Sequence, residues 1–379
     1  MSLIPVNLPS QQYSPGGTVN VSLGGLPTTL FGRLCHLSKL TFHASFTPTF
    51  NSGTGSIVGN NNFVKTLDIY TGRYSACNGP GFNLLRMKER LHTGRSRIPE
   101  ADIDTASGTA RYIDRVYHFG PPNFISPDDF AVPVGDLTNG EIRIQFGAHA
   151  DLGDVTAVAN GTLRIVAWLA LKNEIVVPPA YQTQLYSAPA AFYQMPGRAL
   201  YDIVALLNDT SFGAIASGDF NAVGLDLGGG AIVGNVKSYD LMAGYLDEMA
   251  AGQLALGSEA EAASDDPAKM LVSGSVSAAT AEVVPVLWSG RNAKITKLPL
   301  AESNATLRWD GSQNTAGVFV TRILETPPSV IADIGKRSVV AVGKREIPGS
   351  IRPKTESKKP WAGTNRLENF MPWQIKVTG

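Results

Sequence analysis

The chain has 379 residues and no formal net charge, since 32 basic residues balance 32 acidic ones. Its length is typical of two or three domains, and only 17% of its residues are charged, against the usual ~25%. Two cysteines exclude a disulfide framework, and no apolar run reaches the ~18 residues of a membrane helix. The first residues lack the features of a signal peptide, so we expect synthesis in a cytosol.

Alternation of apolar and polar residues predicts strands in the first half, most clearly at 40–46, 142–146 and 162–171. Asn-Gly pairs precede the last two of these strands. Because Asn-Gly favours tight turns, the two strands are expected to be antiparallel neighbours. A helix is predicted at 82–91, and 93–109 is expected to be a long loop.

The second half contains the same kinds of element. Strands are predicted at 282–288, 305–309 and 317–324, the first of them at a sheet edge or bulge because Pro285 cannot donate a ladder hydrogen bond. A helix is predicted at 236–249, where apolar residues recur every four positions. The remaining expected segments are a short helix at 328–334, a proline-rich linker at 181–197 and an exposed loop at 254–280.

The order of these elements indicates two copies of one β-rich domain. Three motifs recur at offsets of 156 to 158 residues, in the pairs Leu67 and Leu225, Leu84 and Leu241, and Leu163 and Phe319. The segments 132–137 and 295–300 are also loosely alike. This period is far longer than that of a solenoid repeat. Many short strands with turn signals favour a sandwich or barrel, of which the jelly roll is one form.

No catalytic constellation is recognisable in the sequence. The five histidines lack metal-ligand spacing, and serine-nucleophile, phosphate-loop and dinucleotide motifs are missing. We therefore predict no catalytic, cofactor-binding or metal-binding residues and no enzymatic activity. His43 is expected on the polar face of its strand, and Cys35 and Cys77 are expected to be buried thiols.

The tail from residue 336 is basic and aromatic. Its basic residues outnumber its acidic residues by ten to three. Such an arm suits contact with a neighbouring subunit, an anionic lipid surface or nucleic acid. The candidate residues for assembly or membrane contact are Lys358, Lys359, Trp361, Arg366, Phe370 and Trp373.

The order and spacing of the segments resemble those of a known family. The pattern runs from 13–19 through 67–91, 112–136, 140–146 and 162–172, and the same order returns between 200 and 326. It is similar to the double jelly-roll major capsid proteins of tail-less, membrane-containing icosahedral phages, the lineage shared with adenovirus hexon. The resemblance implies an all-β fold of two tandem eight-stranded jelly rolls, each with a short inserted helix, and an extended C-terminal arm. The implied bounds are 1–16 for an N-terminal arm, 17–180 and 198–335 for the two jelly rolls, 181–197 for the linker and 336–379 for the basic arm.

The resemblance also implies a function as a structural major capsid protein. Homotrimers of pseudo-hexagonal outline would build an icosahedral shell, with the loops 93–109 and 254–280 facing outward. The implied partners are neighbouring capsomers, minor capsid and penton proteins and an internal lipid membrane, without a cofactor or sequence-specific nucleic acid. The implied location is the virion, after synthesis in the host cytoplasm. Two alternatives stay open, because one fold serves many functions: a carbohydrate-binding or carbohydrate-active jelly-roll protein, and a duplicated cupin enzyme with clustered metal ligands.

Overall fold

The computed structural model describes residues 3–51, 53–57, 63–82, 84–85, 88, 103–120, 130–152, 155–175, 178–195, 199–207, 219–227, 230–237, 284–288, 298–300 and 305–324. The strands up to residue 172 are β1 Ile4–Asn7, β2 Gln11–Gln12, β3 Thr18–Ser22, β4 Thr29–Leu30, β5 Arg33–Phe50, β6 Thr54–Ile57, β7 Val64–Tyr70, β8 Ser75–Gly79, β9 Ile103–Ala106, β10 Arg111–His118, β11 Val132–Pro133, β12 Glu141–Phe146 and β13 Val155–Lys172. The later strands are β14 Ala180–Ala188, β15 Phe192–Met195, β16 Ala199–Leu207, β17 Ala222–Leu227, β18 Gly230–Lys237, β19 Val284–Trp288, β20 Leu298–Leu300, β21 Ala305–Asp310 and β22 Ala316–Leu324. Within the described residues, short 3₁₀ helices span Val134–Leu137 and His149–Leu152.

The strands up to β13 form a sandwich of two sheets around one core. One sheet has the order β1-β13-β5-β10, and the facing strands have the order β3-β12-β7-β8. Side chains that alternate along these strands, such as Phe42, Ile144 and Ile165, are buried between the sheets. Each strand thus presents its apolar face to the opposite sheet. The result is the first of the two predicted eight-stranded jelly rolls.

The strands from β14 onward repeat this arrangement. Their orders are β14-β22-β16-β19 and β15-β21-β17-β18, and a second core contains Leu225, Leu307 and Val320. Even the short strands in the loosely similar segments correspond, since β11 pairs with β5 and β20 pairs with the equivalent β16. The prediction of two tandem jelly rolls is confirmed.

The two jelly rolls share a sheet. Strands β8 and β14 are parallel neighbours, with Cys77 opposite Thr183 and Asn78 opposite Gln184. This pairing joins half of each jelly roll into a nine-stranded sheet of order β19-β16-β22-β14-β8-β7-β12-β3, with β20 attached to β16. The junction is therefore held by backbone hydrogen bonds as well as by side chains.

Two segments predicted to lie outside the jelly rolls are strands within them. The expected N-terminal arm contains β1 and β2, which pair with β13. The expected linker contains β14 and β15. Its sequence lacks apolar alternation because Gln182 and Gln184 accept hydrogen bonds from Arg322 of β22, at 3.0 and 3.3 Å.

The predicted pairing of segments 142–146 and 162–171 is wrong. Strand β12 pairs with β3 and β7, whereas β13 pairs with β1, β2 and β5 in the opposite sheet. The Asn-Gly pair at 160–161 does not form a hairpin turn. Asn160 has a φ of 54° and lies at a register shift inside the 18-residue strand β13. A residue with left-handed backbone creates a bulge there and lets one long strand continue.

One of the three repeat pairs, Leu163 and Phe319, does not join structurally equivalent residues. Leu163 faces the core of its own jelly roll, whereas Phe319 faces away from the second core and joins the buried cluster of the first. Since strand side chains alternate between faces, a shift of one residue exchanges the two faces. The structural counterpart of Leu163 on β22 is a neighbour of Phe319, such as Val318 or Val320 of the second core.

Other predictions are met in part. As expected, Pro285 lies in an edge strand: β19 is the outermost strand in its sheet order, and Pro285 lies next to a register shift in its pairing with β16. The residues Gly81, Phe82, Leu84, Leu85 and Lys88 are helical. The rest of the predicted helix 82–91 lies outside the described residues, as do 238–249 and 328–334, so the inserted helices stay a prediction. Within the predicted helix 236–249 the first two residues belong to β18, and the predicted loop 93–109 contains β9, which pairs with β6.

Candidate functional site

The residues that the sequence singled out for contact do not fall within the described structure. Lys358, Lys359, Trp361, Arg366, Phe370 and Trp373 all lie outside it, as does the loop 254–280. Within the described ranges no group of three or more His, Cys, Asp or Glu side chains is arranged to hold a metal ion. No helix of the same residues is long and apolar enough to cross a membrane.

A buried lysine lies where the two jelly rolls meet. Lys88 donates a hydrogen bond of 2.8 Å to the carbonyl oxygen of His118. Its Nζ lies 4.5 Å from the ring centroid of Tyr117 and 4.6 Å from that of Tyr181. Tyr117 belongs to the first jelly roll and Tyr181 to the second, so one ammonium group makes cation–π contacts with both.

A buried carboxylate accompanies this lysine. Asp202 of β16 accepts hydrogen bonds from the hydroxyls of Tyr181 at 2.9 Å and Thr321 at 3.3 Å. Burial lowers the pKa of Lys88 to about 7, against the opposing effects of Cys77 and Asp202. Burial likewise raises the pKa of the Cys77 thiol to about 12.

This buried cluster is suited to fixing the junction rather than to chemistry. Lys88, Tyr117, Tyr181 and Asp202 are all fully or almost fully buried, so no substrate reaches them in the folded chain. A desolvated polar network of this kind specifies one arrangement of the packed parts, because any other arrangement leaves buried groups unpaired. The sequence signal for Asp202, a single charge in the apolar run 200–207, was present but was not recognised, whereas Lys88 is one of four charged residues in 82–91 and had no such signal.

The outer surface of the sheet β1-β13-β5-β10 is covered by no described part of the chain. We call this surface the first outer face. It consists of the side chains opposite to those of the first core, arranged in rows across the strands: Pro5, Trp168, Lys39 and His118; Asn7, Val166, Thr41 and Val116; Arg164, His43 and Asp114; and Thr162, Ser45 and Tyr112. Nearly all of them are partly or fully exposed.

Aromatic side chains on the first outer face are held in fixed orientations. Trp168 donates a 2.7 Å hydrogen bond from Nε1 to the hydroxyl of Thr41. Tyr112 is 64% exposed and stacks on His43, with ring centroids 5.4 Å apart. His43 in turn pairs with Asp114 at 2.5 Å. His43 therefore lies on the polar face, as predicted. Rigid aromatic groups of this kind are enriched in protein interfaces.

A second exposed apolar group stands on a strained turn. Strands β4 and β5 form a hairpin with Leu30 opposite Arg33, so the turn consists of Phe31 and Gly32, with φ values of 52° and 74°. Two-residue turns with both φ values positive favour Asn-Gly. Phe31 instead places an 85% exposed ring there. Phe31 therefore combines left-handed backbone with an exposed apolar ring.

Comparisons of sequence and of structure give different results. No protein-family model matches the chain, and no curated protein matches it in sequence. Solved structures do match. A chain of the atomic structure of Sulfolobus Turreted Icosahedral Virus has a TM-score of 0.57 at 12% identity, and the match covers 90% of this chain and 98% of that one.

Two further solved structures also match over most of both chains. The major capsid protein of Bacteriophage PM2 has a TM-score of 0.51 at 11% identity, covering 86% of this chain and 99% of that one. The PBCV-1 protein that was fitted into a reconstruction of the virophage Sputnik has a TM-score of 0.53 at 10% identity, covering 86% and 95%. At such low identity the agreement is one of fold. The chain therefore has the double jelly-roll fold of these viral major capsid proteins.

Proposed function

We propose that this chain is a structural subunit of an icosahedral viral shell, has no enzymatic activity, and assembles as trimers of pseudo-hexagonal outline. The observation that carries the proposal is the complete duplication of one jelly roll within a single fixed unit, in the fold of known major capsid proteins. A trimer of such chains presents six similar jelly rolls and so fits a lattice position with six neighbours.

The parts outside the described structure have roles in the same proposal. The loop 254–280 is placed on the outside of the shell. The basic tail is placed against neighbouring capsomers, minor capsid or penton proteins or an anionic lipid surface, with Trp361, Phe370 and Trp373 as anchors. Synthesis in the host cytoplasm and assembly into the virion follow from this role.

Solution mass tests the proposal. Light scattering of the purified full chain is expected to show a species of three times its 40.2 kDa mass, or larger shells. In the same assay Trp373→Ala is expected to keep the trimer intact and to reduce the amount of larger particles. A stable monomer at micromolar concentration would count against the shell function, and an unchanged particle yield for Trp373→Ala would count against the role of the tail.

Substitution of Phe31 is expected to change stability and assembly in opposite directions. Phe31→Asn is expected to raise the unfolding free energy of the chain by about 1 kcal/mol, because asparagine tolerates left-handed backbone better than a bulky residue. The same change is expected to lower particle yield, since it removes an exposed apolar contact. Thermal unfolding and particle counts by electron microscopy measure the two effects. The control is Phe192→Asn in strand β15, a residue 54% exposed, where no gain in stability is expected.

A further inference from the structure

A guanidinium group lies between the two sheets of the second jelly roll. Arg322 is on the same face of β22 as Val318 and Val320, which belong to the second core. Its hydrogen bonds run from Nε to Oε1 of Gln182 at 3.0 Å, from Nη1 to the hydroxyl of Tyr201 at 3.4 Å, and from Nη2 to Oε1 of Gln184 at 3.3 Å and to the hydroxyl of Tyr186 at 3.1 Å. Arg322 is therefore an interior cation held by side chains of β14 and β16.

The charge of Arg322 has no counter-charge among the described residues. All four acceptors are neutral amide or hydroxyl oxygens, and none of the ion pairs within the described ranges includes Arg322. A guanidinium stays protonated in proteins and has five N–H donors, so one N–H of Nη1 is left over. Because removing a charge from water without a counter-charge is costly, this arrangement favours a bound anion.

The first jelly roll has no charge at the equivalent position. Each jelly roll has one extra residue at the same place in the strand beside its last strand, Ser38 in β5 and Asp202 in β16. Aligning these two residues equates Leu169 with Arg322. The other equivalent pairs are Leu37 with Tyr201, Ile4 with Gln182, Val6 with Gln184 and Leu8 with Tyr186. Since one copy of the fold fills these positions with hydrocarbon, the fold itself does not require the polar cluster.

Tyrosine hydroxyls add donors from the opposite sheet. Tyr193 of β15 lies against Tyr186 of β14, with ring centroids 5.2 Å apart, and both pack against the second core. Burial raises the pKa values of Tyr186, Tyr193 and Tyr201, against the lowering effect of Arg322, so these hydroxyls keep their protons at neutral pH. Arg322, Gln184, Tyr186 and Tyr193 are all partly exposed, so the cluster is open to solvent.

We infer that Arg322, Tyr186 and Tyr193 bind a small oxyanion of the phosphate class between the sheets of the second jelly roll. Guanidinium groups are preferred for phosphate recognition. Arg322 and Tyr186 belong to one sheet and Tyr193 to the other, so the donors approach from two sides. Phosphate, with acceptor oxygens on every side, fits that arrangement better than a flat carboxylate. The inference goes beyond the proposed shell function and does not depend on it.

Calorimetric titration of the full chain with inorganic phosphate tests the inference. At an ionic strength held constant with chloride, the wild-type chain is expected to bind phosphate saturably at a single site. Arg322→Gln is expected to weaken this binding about tenfold or more, because hydrogen bonds between ionised groups are about twice as strong as neutral ones. Tyr186→Phe keeps the ring contact with Tyr193 and is expected to weaken binding about threefold or more, through the loss of one hydroxyl.

A matched arginine in the same jelly roll provides the control. Arg308 of β21 is exposed and pairs with Asp226 at 3.6 Å. Arg308→Gln removes one positive charge from the same domain, as Arg322→Gln does, and is expected to bind phosphate with unchanged affinity. An equal loss of affinity in both variants would show a general effect of net charge and would overturn the assignment to Arg322.

Thermal unfolding separates the loss of binding from the loss of fold. A ligand that binds only the folded chain raises its Tm, so phosphate is expected to raise the Tm of the wild type and of Arg308→Gln but not that of Arg322→Gln. If Arg322→Gln shows no unfolding transition, Tyr186→Phe carries the test. The absence of saturable binding to the wild type at millimolar phosphate overturns the inference, as does wild-type affinity in Arg322→Gln or Tyr186→Phe. The proposed shell function is tested separately, by solution mass.

Discussion

Replacing Lys88 by methionine is expected to remove most of the rise in unfolding free energy between pH 7 and pH 8.5. Burial lowers the pKa of Lys88 in the folded chain to about 7, whereas an unfolded lysine titrates near 10.4. Between these values the unfolded chain binds the additional proton, so the unfolding free energy rises with pH. Below pH 7 Lys88 is charged in both states, and its contribution to the dependence ends.

The size of this effect makes it measurable by urea unfolding. Between pH 7 and 8.5, below the range in which an unfolded thiol titrates, the wild-type chain is expected to gain about 2 kcal/mol from Lys88, at ~1.4 kcal/mol for each pH unit. Lys88→Met keeps much of the side-chain volume and is expected to lose that slope. The control is Lys65→Met, which removes an exposed ammonium paired with Asp151 at 2.7 Å, and which is expected to retain the slope. Equal slopes for the wild type and Lys88→Met would contradict the burial of the Lys88 amine at the junction.

The second large effect is expected from Gly81→Ala. Gly81 has a φ of +48° at the start of the helical residues, and an added Cβ would overlap the carbonyl oxygen of Val64 in β7. Relief requires a backbone shift where the helical residues leave the sheet, beneath the junction of the jelly rolls. We expect a loss of more than about 3 kcal/mol in unfolding free energy.

A matched glycine separates this clash from ordinary backbone strain. Gly108 has a φ of +78° but no atom within 4 Å of an added Cβ. Gly108→Ala is therefore expected to cost only the ~1 kcal/mol of left-handed backbone. Scanning calorimetry of the two variants tests the difference. Similar falls in Tm for both would contradict the close approach of Gly81 to Val64.

Both effects concern the junction, and the junction is where reasoning from the sequence was weakest. The segment 181–197 was expected to be a linker because its prolines and glutamines hide strand periodicity. In the folded chain the glutamines of β14 face Arg322, and Tyr181, Thr183 and Leu185 face the first jelly roll. When both faces of a strand are covered by different partners, its pattern no longer shows an inside and an outside.

The bulge at Asn160 shows the same limit on a smaller scale. Asn-Gly has the same local preference in a hairpin turn and in a bulge, since both use left-handed backbone. Only the pairing of β13 with β5 on both sides of the bulge decides between them. The register error at Phe319 has a similar cause, because apolar residues occupy both faces of β22.

The sequence by itself determined the all-β class, the duplication and most strand positions, because alternation, turn residues and repeat spacing are local properties of the chain. The tertiary structure alone decided which strands share a sheet, how Lys88 and Tyr181 meet between the jelly rolls, and which strands end each sheet of the described residues. These features depend on contacts between residues more than 90 positions apart, such as Lys88 with Tyr181, Tyr181 with Ile323, and β13 with β5. Pairing over such separations leaves no periodic signal in the sequence.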